Sequence, residues 1–140
     1  MKPSYLTIFA VTALAFAGCA AQRHAPTLLG PAIRVVEFPG APGTGQPREV
    51  HSLVDEPALK LVTIVLRAGT SLPVHQANVP VTIIALQGSG TVIAGVERLH
   101  IDSTHAVVLG AGVSHAVEPD PDMDVVLLVH HLGRAEETRP

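Results

Sequence analysis

The chain has no tryptophan, one tyrosine and three phenylalanines among 140 residues, so any core must be packed from aliphatic side chains. Its single cysteine excludes an internal disulfide and a cysteine-rich zinc site. Only 15% of residues are charged, against 47% hydrophobic, which excludes a disordered, highly charged chain. The formal net charge is −3 with nine Lys and Arg. No basic face is visible, so a nucleic-acid partner is excluded. Ser71, Ser89 and Ser114 lack a G-x-S-x-G setting, leaving a hydrolase triad unsupported. Gly88-Ser89-Gly90 lacks the strand-to-helix context of a phosphate loop and reads as a hairpin turn. Asp120, Asp122 and Asp124 have neither the loop Gly nor the distal Glu of a hand-type calcium site. They read as a solvated turn.

What is present is Val, Leu, Ile and Ala set among 12 Gly and 12 Pro, with eight His. Met1-Lys2 followed by the apolar run Tyr5 to Phe16 matches a secretory signal, the run being too short for the ~20 residues a bilayer span needs. Phe16-Ala17-Gly18-Cys19 resembles the lipobox of bacterial lipoproteins. That resemblance implies removal of residues 1–18, lipidation of Cys19 and membrane attachment through it. Ala20, rather than Asp, after the Cys implies the outer membrane, with the domain in the periplasm. Residues 19–31, broken by Pro26, Gly30 and Pro31, read as the lipidated Cys and a flexible tether. The folded domain is expected over 32–134, with a tail at 135–140.

Within it, apolar alternation and turn residues predict short strands. They are Ile33–Phe38, Glu49–Leu53, Leu59–Leu66, Val74–Ala77, Val81–Leu86, Thr91–Ala94, Leu99–Ile101, Ala106–Leu109, His115–Val117 and Val125–Leu132. Pro39 to Pro47, with three Gly and three Pro, reads as the loop between the first two. Leu59–Leu66 and Val125–Val129 are apolar on both faces, as central strands of a closed two-layer structure are. No stretch beyond about eight residues has a helical period. Many short strands with turns every 8–12 residues indicate an all-β sandwich or barrel.

Two segments carry a resemblance to a family. Gly69-Thr-Ser-Leu-Pro-Val-His75-Gln-Ala-Asn-Val-Pro-Val through Gly88, then Gly95 and Leu109-Gly-Ala-Gly112-Val-Ser-His115, resemble the two motifs of the cupins. The likeness covers roughly residues 58 to 132. It implies a double-stranded β-helix of jelly-roll type. Metal-binding cupins hold an ion with two His and a Glu of the first motif and one His of the second. His75 and His115 match the first and last of these ligands. Ala77 stands at the second His and Val81 at the Glu, and neither can donate to a metal.

Period-two alternation places His75, Ala77 and Val79 on one strand face. The expected pocket is His75, Ala77, Val81, Ile83, His115 and Val117, with the two rings facing one cavity. His105 shares a face with Val107 and Leu109, and His130 and His131 lie on opposite faces of the last strand, so one of the latter faces inward. His130 and His105 are therefore further candidate ligands, and His100 is expected in solvent beside Arg98. Two readings stay open. One is a small-molecule-binding module with a mostly apolar pocket and an incomplete metal site. The other is a metal-dependent enzyme using His75, His115 and a further His with one transition ion: Zn, Cu or Ni for a His-only set, Fe or Mn by family habit. A homodimer built by adding the first strands to a partner's sheet edge is also expected.

Overall fold

The structure is a computed structural model that describes residues 27–40 and 44–133. The expected signal segment 1–18, Cys19, most of the expected tether and the tail 135–140 lie outside the described residues. Among those described there are nine strands and no helix. They are β1 Arg48–Asp55, β2 Leu59–Leu66, β3 Leu72–His75, β4 Val81–Gln87, β5 Gly90–Ala94, β6 Glu97–Ile101, β7 Ala106–Leu109, β8 His115–Pro119 and β9 Val125–Leu132. One sheet runs β1-β2-β9-β4-β7 and the other β3-β8-β5-β6, every pairing antiparallel. The architecture is an all-β double-stranded β-helix.

Two inner faces build the core. Val62, Ile64 and Leu66 of β2, Val81, Ile83 and Ala85 of β4, and Val125, Leu127 and Val129 of β9 meet Val92, Ile101 and Val117 of the opposite sheet. Val107 and Leu109 close the β7 side. Each fully buried Val, Leu or Ile contributes about 1.5–3 kcal/mol through burial. With no aromatic in this cluster, the contribution is spread over many β-branched residues whose restricted rotamers suit a pleated surface. Leu61 through Leu66 are all buried, Thr63 among them, so the largely apolar β2 is covered on both faces.

The expected first strand, Ile33–Phe38, is not one. The segment is unpaired, with Ile33 and Val35 both 94% exposed. Strand propensity describes fit to a neighbour rather than an intrinsic backbone state, and the sheet ends at β1. What holds the segment is polar: Arg34 pairs with Glu56, and the Glu56 carboxylate accepts a bond from the Leu29 N–H at 2.7 Å. The other strands occur where the alternation places them, with β3 two residues earlier than expected and Ala77 beyond its end.

Gly88 shows how tightly β4 and β9 are joined. It has φ +71, and a Cβ there would lie 2.1 Å from the Asp124 carbonyl oxygen. Gly95 has a similar φ of +62 with open space around it. Gly95→Ala should therefore cost about 1–2 kcal/mol from the left-handed backbone alone. Gly88→Ala adds the clash and should cost about 2–4 kcal/mol. Urea midpoints of the two variants measure the difference, and equal losses would show that the β9 backbone moves aside freely.

Candidate functional site

β3 and β8 pair so that His75 lies directly opposite His115. Directly opposite residues project to the same side of a sheet, and the two rings sit 4.3 Å apart between centroids, tilted by 55°. Their surroundings differ. His115 is 3% exposed, whereas His75 is open to solvent. Each Nδ1 lies 2.9 Å from the carbonyl oxygen two residues earlier, Pro73 for His75 and Val113 for His115. A carbonyl only accepts, so Nδ1 carries the proton and Nε2 is left with a lone pair in each neutral ring. The Gly112 N–H donates to the Ala77 carbonyl at 2.7 Å, tying the turn before β8 to the end of β3 and fixing both His at the same level. Ala77 packs against the core cluster although it lies past the strand, and Val81, Ile83 and Val117 belong to that cluster. Behind the two imidazoles is a filled aliphatic interior.

The facing sheet presents one row at this end of the barrel. Lys60 is opposite His131, His131 opposite Val81, and Val81 opposite Leu109. The next rows inward, Val62–Val129–Ile83–Val107 and Ile64–Leu127–Ala85, are core, so period two puts the Lys60–His131 row on the inner face as well. The inward histidine of the last strand is thus His131, and His130, opposite Leu61 and Thr82, turns to the outer face. Alternation alone left that choice open because it needs the register of β9 against β4. Nδ1 of His131 is buried and has no hydrogen-bond partner.

His105 does not join this group. It sits at the β6–β7 turn with its side chain 67% exposed, and its Nδ1 donates to Asp102 at 2.8 Å. His100, also exposed, reaches the other Asp102 oxygen at 3.3 Å, while the backbone N–H and hydroxyl of Thr104 each donate to Asp102 at 2.8 Å. These bonds, the His105 one foremost, hold the Asp102 carboxyl well below the usual carboxylate range. The turn is a self-satisfied surface network. A separate cavity of about 450 Å³ is lined by Gly69, Thr70, Ser71 and residues 118–122 rather than by either site histidine. Two of its carboxylates are already engaged, Glu118 by Arg98 and Asp120 by Ser89.

Ala77 and Val81 offer a metal nothing, and among the described residues no three His, Cys, Asp or Glu side chains are already gathered to hold an ion. The donor chemistry nevertheless suits one. Two imidazoles have the tautomer of a ligand, each oriented by a carbonyl on its other nitrogen, and His131 of the facing row has a buried nitrogen without a partner.

The two-sheet topology is matched in solved structures. The chain has the cupin fold. An RmlC-like cupin family protein from Methanocaldococcus jannaschii aligns with a TM-score of 0.64 and 21% identity over 75% of this chain and 94% of that one. An RmlC-like cupin from Desulfovibrio desulfuricans gives 0.58 and 22% over 69% and 95%. The DMSP lyase DddQ of Ruegeria pomeroyi gives 0.57 and 19% over 67% of this chain and 50% of that one. No protein-family description and no curated protein matches the sequence. At these identities the likeness establishes the fold, and function has to be argued from the site.

Burial is the main cause that lowers the His115 pKa below 6.5, with the neighbouring His75 adding to it against the Val113 carbonyl. His131 is lowered as well, by burial first, then by Lys60 and His75. An unfolded chain titrates such histidines near ~6.5. Between that value and the lower folded values the unfolded state binds more protons, so stability is complete above about pH 6.5 and declines on acidification through that window. The expected result is a Tm that falls from pH 7.5 to 5.5, with a shallower fall in His115→Gln. An NMR titration should place the His115 ring below the free value, and a midpoint at or above ~6.5 would contradict its burial.

Proposed function

We propose that this is a cupin-fold binding module in which His75 and His115 hold a small organic molecule where the barrel opens to solvent. The observation that carries this reading is the pair itself: two imidazoles 4.3 Å apart, each with Nδ1 engaged by its own backbone carbonyl. Two lone pairs set side by side have no donor between them and favour a ligand that supplies hydrogen-bond donors. Beside them Ala77 is partly buried against the core, in which Val81, Ile83 and Val117 are packed. Lipidation at Cys19 would hold the module on the periplasmic face of a bacterial outer membrane, a reading supported by the string Phe16-Ala17-Gly18-Cys19. Assembly as a homodimer belongs to the same proposal. A second reading, a metal-dependent enzyme, is favoured by one observation, the unpartnered Nδ1 of His131 on the facing row.

The test is a thermal-shift screen of the full chain in detergent against a library of small polar organic molecules. Molecules that raise Tm should lose their effect in His75→Ala and in His115→Ala, each substitution weakening binding by about tenfold or more through loss of a buried hydrogen bond. Shifts that survive both substitutions would place binding elsewhere and sink the proposal.

A further inference from the structure

Segment 27–40 is held to the barrel by one carboxylate. Glu56, in the turn between β1 and β2, is 9% exposed. It accepts a bond from the Leu29 N–H at 2.7 Å and pairs with Arg34, whose guanidinium also donates to the Pro31 carbonyl at 3.3 Å. This polar clamp fixes the chain with its apolar side chains outward: Leu29 is 78% exposed, and Ile33 and Val35 more so. Ordering a segment and leaving its aliphatic side chains in water both cost free energy, so a contact that covers them accounts for the arrangement. The Glu56 turn opens β2, whose first residues share rows with His131 and Val81, and the connection from His75 leads into the same row. The clamp therefore lies at the His75–His115 end of the barrel. Val96, Val113 and Leu132 are exposed at this end too. The opposite end, where β8 turns into β9, carries Asp120, Asp122 and Asp124 in one turn.

We propose that segment 28–38 is a membrane-contact surface: Leu29, Ile33 and Val35 enter the headgroup boundary of a phospholipid bilayer and turn the His75–His115 end towards it. The inference rests on the reading that Cys19 is lipidated. Eight residue steps separate Cys19 from Thr27, about 29 Å at full extension, so a lipid anchor keeps the apolar segment within reach of the bilayer surface. Few apolar side chains suffice to orient a domain already anchored, because attachment makes the contact intramolecular. A second copy of the chain fits less well. Stable protein interfaces engage about 20–30 residues a side, whereas Leu29, Ile33 and Val35 lie on one narrow segment flanked by the less exposed Leu28 and Phe38. Charge agrees with the direction. Anionic headgroups repel carboxylates, and the turn with three aspartates is at the end directed away. On the bilayer side Arg34 is neutralised by Glu56, and exposed Glu37 and Glu97 are set against Lys60 and the linker's Arg23.

The test uses the full chain, produced with its signal segment and reconstituted in vesicles of phosphatidylethanolamine and phosphatidylglycerol. Mass spectrometry establishes the lipid on Cys19, the single cysteine, which leaves an introduced thiol as the one labelling site. A polarity-sensitive fluorophore is placed in turn by Val35→Cys, Ala111→Cys and Ser71→Cys, all at exposed positions. Nitroxide-bearing lipids should quench the Val35 label at least about twofold, since side chains seated at this boundary reach the acyl chains. The Ala111 label, in the turn before β8, should be quenched less, and the Ser71 label, at the far end, not at all. Adding Leu29→Asp and Ile33→Asp should return the Val35 label to the Ser71 level with Tm unchanged, because both side chains are exposed. A Val35 label that stays in water on the lipidated chain overturns the inference and leaves the lipid anchor standing. Shielding that no lipid nitroxide quenches, and that falls as protein is diluted in lipid, assigns the segment to a second copy and overturns it as well. Equal quenching at Ser71 and Ala111 overturns the orientation. A chain with no lipid on Cys19 removes the reading beneath the inference.

Discussion

Two antiparallel sheets closing over an interior without aromatic rings can exclude water only through register. Valine, leucine and isoleucine are too small to bridge a misaligned gap, so each inward residue must meet its cross-strand partner at the right level. The rows Val62–Val129–Ile83–Val107 and Ile64–Leu127–Ala85 show this in the five-stranded sheet. A shift of one residue in β9 would turn all of its core side chains outward. Gly88, with no room for a Cβ beside the Asp124 carbonyl, helps hold β9 where it is. The same register that fills the core delivers Lys60, His131, Val81 and Leu109 to one level at the barrel's end.

Polar groups tolerated at that level follow from this closure. Imidazole is one of the few side chains that can end an apolar row, satisfy one nitrogen on a nearby carbonyl and leave the other for a ligand. His115 does so at 3% exposure, and burial pushes its pKa below 6.5. His75 faces it from solvent, so the pair has a buried member and an exposed one. By contrast, the His100–Asp102–His105 turn spends its nitrogens on one carboxylate at the surface. That arrangement stabilises a tight turn and leaves the barrel interior untouched.

The neighbours in fold space include a lyase as well as RmlC-like cupins. A barrel of this kind is therefore a frame on which different chemistries are placed, and in this chain Ala77 and Val81 present apolar side chains near the two histidines. The polar groups at this end of the barrel are the lone pairs of His75 and His115 and the orphaned nitrogen of His131.

Short apolar alternations broken by Gly and Pro were enough by themselves to determine an all-β sandwich or barrel, because period two and turn chemistry are local properties. The jelly-roll arrangement and the choice of His75 and His115 came from the resemblance to the two cupin motifs. Ile33–Phe38 was misread because its strand-like composition says nothing about whether a neighbour exists to pair with it. The choice of His131 over His130, and the removal of His105 to the surface, depended on which residue of β9 faces Val81 and on a turn that pairs Asp102 with His105. Those are contacts between segments distant in sequence or set by a single turn register. Side-chain period gives two equivalent faces to any strand, and only packing against the opposite sheet decides which of them is inside.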